Sequence, residues 1–391
     1  MLCIYLTLLF LKMRYRFILL FTIIPLAFSC VKMPKNNYVP DFEVLEDFDW
    51  KTIEYRPMSL TQTSIVLNEA GDTVGMSLPA GTYNFIVGKT TTLSAIPDTS
   101  AASANEVSTK TPGDKYKEVI YFPSKNGYAT VMYEDLFPAK GDMDMNDIVF
   151  GINIEFNLDN QLRLRSLKIS IQPRAIGSSY SSIGLAASLS GGSYDNYVDK
   201  IYYSEAPSIG NFFNVTNYGG SYSGEIGNLF DVIPLTGNFR GHFTDNSELF
   251  LNVRNVDPVI GTNNFWVYID ILPSRIFHIS NLTFLDAPSI GKVNLDIFAL
   301  FGDRGKEIHF KGTRPTAFFY YPYFVATWPK SDFSSPDNWV WAILSDQSIR
   351  HPQEFAKIYH AYPSFTSWTS GGGSDWYSPA VTEFLYTKKT F

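Results

Sequence analysis

From Ile148 to Leu158 the chain places an apolar residue at every even position: Ile148, Phe150, Ile152, Ile154, Phe156 and Leu158. A period of two sustained over such a length fits a strand and scatters the same residues around a helix. The stretch therefore predicts a half-buried strand, with Asn153, Glu155 and Asn157 on its polar face. After the turn Asn157–Gln161, Leu162 and Leu164 keep the even phase, whereas Leu167, Ile169 and Ile171 lie on odd numbers. A one-residue change of phase swaps the faces of a strand, so a β-bulge is expected near Arg165–Ser166. The two segments should form a hairpin in one face of a sandwich.

The rest of the chain supports a mainly β fold. Aromatic residues are 16% of the sequence, with 31 Phe and 24 Tyr, and these favour strands. At 391 residues the chain exceeds what one core usually serves. The reading is a small β-domain over residues 41–95, a linker or mobile loop over 96–115, and a larger antiparallel β-sandwich region over 116–391. Phe265–Leu272 and Val293–Leu300 are further strands. Gly177–Gly224, rich in Gly, Ser, Tyr and Asn, reads as long loops between short strands. Phe355, Ile358, Tyr359 and Tyr362 have helical spacing, with Pro352 in the first turn and Pro363 ending it, and predict one short C-terminal helix.

The N-terminus has the form of an export signal. Lys12, Arg14 and Arg16 precede an apolar run, Phe17–Ser29, that is too short to span a bilayer, which takes about 20 residues. Met13 fits a true start, with residues 1–12 upstream of it. The run closes on Leu26-Ala27-Phe28-Ser29-Cys30, which resembles a bacterial lipobox. Cys3 and Cys30 are the only cysteines, so removal of 1–29 leaves Cys30 as the sole thiol, the expected site of lipidation. That removal takes away three basic residues and no acidic one. The remaining chain has 31 − 3 = 28 basic and 38 acidic residues, a formal charge of −10. Residues 30–40 then form a membrane-proximal tether. The expected localisation is the cell envelope, lipid-anchored, at the outer membrane, with the membrane as first partner. No long basic run points to nucleic acid.

Asp135, Asp142, Asp144, Asn146 and Asp147 crowd the loop 134–147 ahead of Ile148. The i, i+2, i+4 spacing of Asp142, Asp144 and Asn146 is the one that opens an EF-hand, and calcium takes six to eight hard oxygens. The remainder of an EF-hand is missing: Asp147 stands where glycine would be, Asn153 where a bidentate glutamate would be, and a strand follows. If the loop is packed, carboxylates about 5 Å apart repel by roughly 3 kcal/mol at an effective dielectric near 20, and a cation must offset that. If it is solvated, the same residues simply brace turns. The expectation is a structural Ca2+ site. Catalysis is the minor alternative.

"YEDLFPAKGDMDMNDIVF" resembles the signature of LruC-domain proteins, bacterial envelope lipoproteins of poorly defined function. The matching positions are Tyr133, Glu134, Asp135, Pro138, Lys140, Gly141, Asp142, Asp144, Asn146 and Asp147, with Met145 in place of an aromatic. Gln172–Leu189, Gly305–Thr316 and Ala361–Tyr377 are similar to later segments of that family, so the resemblance covers roughly 116–386. It implies a β-rich envelope protein and does not imply an enzyme.

Five histidines, His242, His278, His309, His351 and His360, are scattered with no zinc-protease spacing. Nucleophile-elbow and phosphate-loop motifs are missing. Five of seven tryptophans lie near the C-terminus. Trp339, Trp341, Trp368 and Trp376 offer an aromatic platform for a sugar, against the plainer reading that they fill a core. Asn338–Trp341 alternates, which would put Trp339 and Trp341 on one strand face. Together these features predict a non-catalytic β-sandwich scaffold for adhesion, ligand capture or assembly, with a glycan or protein as ligand. The alternatives are a carbohydrate-binding module or a glycan-active hydrolase with dispersed carboxylates.

Overall fold

The computed structural model describes residues 42–99, 117–191, 196–205, 208–210, 212–373 and 375–389. In chain order the strands among them are β1 (Ile53–Leu60), β2 (Ser64–Asn68), β3 (Thr73–Leu78), β4 (Gly81–Gly88), β5 (Leu93–Pro97) and β6 (Glu118–Phe122). Next come β7 (Ala129–Tyr133), β8 (Ile148–Leu158), β9 (Arg163–Ala175), β10 (Ile183–Gly191), β11 (Val198–Tyr203) and β12 (Asp231–Thr236). The last are β13 (Phe265–Ile271), β14 (Phe277–His278), β15 (Leu282–Phe284), β16 (Val293–Phe301), β17 (Glu307–Ile308) and β18 (Ala342–Ser345). The protein is mainly β, and its few helices are short.

The alternating stretch is β8, and it organises the larger sheet. Along one edge it pairs antiparallel with β9. Its other edge is shared: β6 lies opposite Ile154–Leu158 and β7 opposite Ile148–Ile152. Asn153 sits at the gap between them, and its amide donates to Ser124 O at 2.7 Å and Gly127 O at 2.6 Å. The polar face of β8 is therefore more covered than a half-buried strand predicts. Asn153 and Asn157 are buried, the second donating to Ser166 Oγ, and only Glu155 stays partly open, paired with Lys168. Each polar side chain has a partner, which is what lets that face be closed.

The expected bulge is present: Asn157 faces Ser166 and Leu158 faces Leu164, leaving Arg165 as the extra residue. A second bulge lies at the other end, where Val149 faces Ala175 and Phe150 faces Pro173, so that Arg174 is extra. It carries the Arg174 side chain into the interior, where Nη1 donates to Thr130 Oγ1 and Nη2 to Ser348 Oγ, each at 2.8 Å. Burial pushes its pKa down to about 10.

A smaller sheet, ordered β12-β10-β16-β15, covers the first. Phe122 meets Phe284 edge-on at 5.2 Å, and the Tyr133 hydroxyl donates across to Ile297 O at 2.8 Å. These contacts make a sandwich with aromatic rings between the layers. Gly177–Gly224 differs from the expectation of loops, because β10 is buried along its whole length and is central in the smaller sheet. Gly184, Ala186, Ala187 and Ser188 are small because β10 is tightly covered: a Cβ on Gly184 would stand 3.0 Å from the Phe212 ring.

Residues 41–95 do not form a separate domain. β3 pairs with β6, and β2 and β5 continue the same large sheet. Trp50 donates to Asn338 O at 2.8 Å and packs on Trp339 and Trp368, so the N-terminal strands share the C-terminal core. A segment of roughly 60 residues buries too little surface alone, and here it borrows a core. The expected linker 96–115 begins inside β5, and its remainder from residue 100 lies outside the described residues.

The C-terminal helix also differs. Only Ile358–Ala361 forms one turn; Pro363 interrupts, and a second short helix runs Ser364–Thr369. Phe355 is exposed with φ of +64°, and Pro352 bridges Leu385 in extended backbone. No helix among the described residues is long and apolar enough to cross a membrane.

Candidate metal centre

The acidic loop leaves β7 and enters β8, the two strands that lie side by side. Met143 and Met145 adopt left-handed backbone, φ of 66° and 56°, and bury their side chains. Asp142, Asp144 and Asn146 alternate with them. Glu134, Asp142 and Asp144 each offer a carboxylate oxygen, and these three oxygens lie within 4.8 Å of one another. Calcium–oxygen distances of 2.3–2.6 Å allow two oxygens on one ion to be about 5 Å apart. Glu134 is fully buried, Asp144 nearly so, and Asp142 stands at the exposed mouth.

The other predicted residues are nearby with different roles. Asp147 Oδ2 accepts from Asp135 N at 2.7 Å, and Asp135 Oδ2 accepts from Ser178 Oγ at 2.5 Å. Both are turned onto the protein itself. Asp144 accepts from Asn146 N and from Phe355 N. That last bond brings in a residue the sequence reading missed, Glu354, from the far end of the chain. Glu134 was also missed as a donor, although it lies within the motif.

Three buried acceptors here receive no hydrogen bond: Glu134 Oε2, Asn146 Oδ1 and Glu354 Oε2. Two glycines make the room around them. A Cβ at Gly141, which has φ of +72°, would collide with Glu134 Oε2. A Cβ at Gly177 would collide with Asn146 Oδ1 and stand 2.9 Å from Glu354 Oε2. A cluster of buried acceptors without donors is costly for the bare chain, since unsatisfied buried polar groups lose their hydration without return.

Electrostatics agrees. Burial, then Asp147, Asp144 and Asp142, drives the Glu134 carboxyl well above the usual range. Burial, then Asp142 and Glu354, does the same to Asp144. Burial, then Asp135 and Asp144, raises Asp147, and burial is the first cause at Asp135 and Asp142 as well. Glu354 is pushed up to about 7 by burial, then by Asp142. Lys306 and Arg254 oppose this at Asp135 and Glu354 respectively. Lys306 also bonds the Tyr180 hydroxyl, and Arg254 pairs with Asp257. Lys140 within the loop is paired outward with Asp337. Hard oxygen donors of this number and crowding fit a calcium-sized cation.

The proposed aromatic platform is corrected by burial. Trp339, Trp341, Trp368 and Trp376 are all interior, where no sugar ring can stack. Trp339 packs on Trp50 and Phe365, whereas Trp341 meets Phe137 edge-on at 4.7 Å. The two therefore serve different clusters and do not share an open strand face. Trp328, the fifth of the tryptophans near the C-terminus, is at the surface, 74% exposed. Cys30 lies outside the described residues.

Fold and donor set together define a β-sandwich protein with an oxygen-only acidic cluster at the entry to its central hairpin. A family profile described as "Domain of unknown function (DUF4842)" matches residues 163–377, more than half of the chain, and the chain belongs to that family. The profile begins after the acidic loop. No curated protein matches. A crystal structure of a "putative lipoprotein" from Bacteroides ovatus is similar over 86% of this chain and 94% of that one, at 16% identity and a TM-score of 0.45.

Proposed function

We propose that this protein is a non-catalytic, lipid-anchored component of the cell envelope, a β-sandwich scaffold whose acidic loop is closed by a structural calcium ion. Its work is adhesion, ligand capture or assembly, carried out from the outer membrane. The observation that carries the cation is the group of buried oxygens without donors, Glu134 Oε2, Asn146 Oδ1 and Glu354 Oε2, set among crowded carboxylates. Calcium suits this set better than magnesium, which keeps several waters and binds through few protein oxygens. The lipid is supported by Cys30 at the close of the apolar run Phe17–Ser29.

Thermal melting of the chain from residue 31 onward, in calcium, magnesium and chelator, tests the cation. A ligand at a hundred times its Kd adds about 2.7 kcal/mol. Calcium should raise the midpoint of the wild type and leave Asp142→Ala/Asp144→Ala unmoved; equal midpoints in calcium and chelator refute the site. Palmitate labelling of the full chain, lost in Cys30→Ala, tests the anchor.

A further inference from the structure

Residues 315–329, PTAFFYYPYFVATWP, run without one charged side chain. They make the short 3-10 helix Tyr321–Thr327 and the loop that leads into it. Such a helix has three residues per turn, so positions three apart stand above one another. Phe324 and Thr327 are on the inner row and are buried. Pro322, Val325 and Trp328 are on another row, and all three are exposed, Val325 at 77% and Trp328 at 74%.

The outer row is held from beneath. Phe324 meets Phe319 at 4.7 Å and Phe333 at 5.0 Å, and Phe137 packs edge-on against Phe324. Beside the helix Phe318, Tyr320 and Tyr321 are exposed as well. A second loop extends the patch. Asn228 Oδ1 accepts from Ala317 N at 3.2 Å, and a Cβ on Gly227 would stand 3.0 Å from the Phe318 ring. Ile226 and Leu229, on either side of that contact, are exposed too. An apolar patch built across two loops marks an interaction site.

The route of the chain decides the occupant. Twelve residues separate Cys30 from Phe42, a reach of at most about 40 Å. Phe42 packs on Trp339 and Phe365. Asn338 Nδ2 donates to Leu45 O at 2.6 Å, and Lys311 Nζ donates to Phe48 O at 2.7 Å. The chain therefore enters the fold against the two segments that flank the aromatic one. A lipid on Cys30 would hold the patch within reach of a bilayer, where even a weak contact is made at high effective concentration. Tryptophan and tyrosine are also the residues that settle at the headgroup level.

We propose that the row Pro322-Val325-Trp328, with Tyr320 and Tyr321 beside it, docks the folded chain on the lipid surface that bears its anchor. This docking rests on the anchoring at Cys30 for nearness alone. Its contact is apolar, since the formal charge of −10 left after removal of 1–29 draws the chain to no anionic headgroup. Val325 and Trp328 enter the boundary between headgroups and acyl chains, as the apolar face of a surface helix does.

Flotation with phosphatidylcholine/phosphatidylethanolamine vesicles tests the docking on the chain from residue 31 onward, which has no cysteine to acylate. That chain keeps the whole compact unit Phe42–Phe391. It should float, with half-binding on the order of 1 mM lipid. Binding should survive about 1 M salt, which screens charges beyond about 3 Å. Brominated phosphatidylcholine should quench the Trp328 emission, and Trp328→Phe should lose that quenching while still floating. Val325→Ser/Trp328→Ser should weaken binding at least about tenfold with an unchanged melting midpoint. Ile290→Ser, at the exposed turn before β16, should bind as the wild type does. A chain that stays in solution overturns the docking and leaves the anchor to its palmitate test; flotation without palmitate labelling of the full chain keeps the docking and refutes the anchor. Equal flotation of the double variant overturns it too. Self-association lost in Trp328→Ser, seen by sedimentation velocity without flotation, gives the patch to a second copy of the chain and overturns it equally.

Discussion

Two buried groups of acids in this protein have opposite solutions to the same problem. Glu307, Asp296 and Glu225 are buried together, and the chain supplies its own cations. Arg304 pairs with Glu225 at 2.6 Å and with Glu307, and His309 bridges Asp296 at 2.6 Å and Glu307 at 2.9 Å. Burial works against a charged ring, yet Asp296 and Glu307 hold the pKa of His309 above its ordinary value. Burial likewise opposes Glu307, but His309 and Arg304 outweigh it and pull that carboxyl down, whereas at Asp296 burial still outweighs His309 and the carboxyl stays raised. Around Glu134, Asp144 and Glu354 burial and then the neighbouring carboxylates raise the carboxyls, and at Glu354 Arg254 opposes this without outweighing it. The contrast teaches that this fold places its own cations beside one group of buried carboxylates and crowds the other with acceptors alone.

The largest effect expected from this comparison is at the self-sufficient network. Arg304→Met leaves Glu225 and Glu307 buried without their guanidinium, and breaking such a pair costs about 3–5 kcal/mol. Urea denaturation should show that loss equally in calcium and in chelator; a calcium-dependent loss would break the distinction. Next comes Glu354→Gln, which should weaken calcium about tenfold, or about 1.4 kcal/mol, by titration calorimetry. Full affinity in that variant would remove Glu354 from the ion's shell.

The third is a pH effect in chelator. Glu354 titrates near 7 in the folded chain against 4.5 ordinarily, so between these values the folded state holds more protons. Its contribution to stability is complete below about 4.5 and is lost as pH rises through 7. The metal-free melting midpoint should therefore fall between pH 5 and pH 8, and calcium should suppress that fall. The smallest effect is a change of sign. Asp142→Asn, at the exposed mouth, should stabilise the metal-free protein and destabilise the calcium form, each by under about 1 kcal/mol. Destabilisation in both conditions would mean that Asp142 does more than repel its neighbours.

What the sequence disclosed follows the range of each interaction. The strand β8 and the bulge at Arg165 are written in the phase of nearby apolar residues, and both are found. The bulge at Arg174 is not, because Pro173 and Ala175 leave no alternation to break. The joining of β3 to β6 is a pairing between distant segments, and no local pattern in residues 41–95 reports it. Spacing that suits a helix misled at Phe355, whose backbone instead turns to give its N–H to Asp144. The crowding of Asp142, Asp144 and Asn146 was legible, since these three donors come from one short loop. Glu354 was not, because "HPQEF" has nothing in it that marks a donor until the fold sets it beside Gly177. The tryptophans were legible as aromatic mass, and the plainer reading that they fill a core is the one their burial bears out.

The bond from Phe355 N to Asp144 Oδ2 spans 211 residues of chain. An ion gripped by both the loop and Glu354 would act as a clasp on a circuit of that size, and closing a long circuit removes more freedom from the unfolded chain than closing a short one. A disulfide does this permanently and needs an oxidant. A clasp of calcium needs only the mineral content of the surrounding fluid, so the chain would fasten itself where that ion is plentiful and come undone where it is scarce.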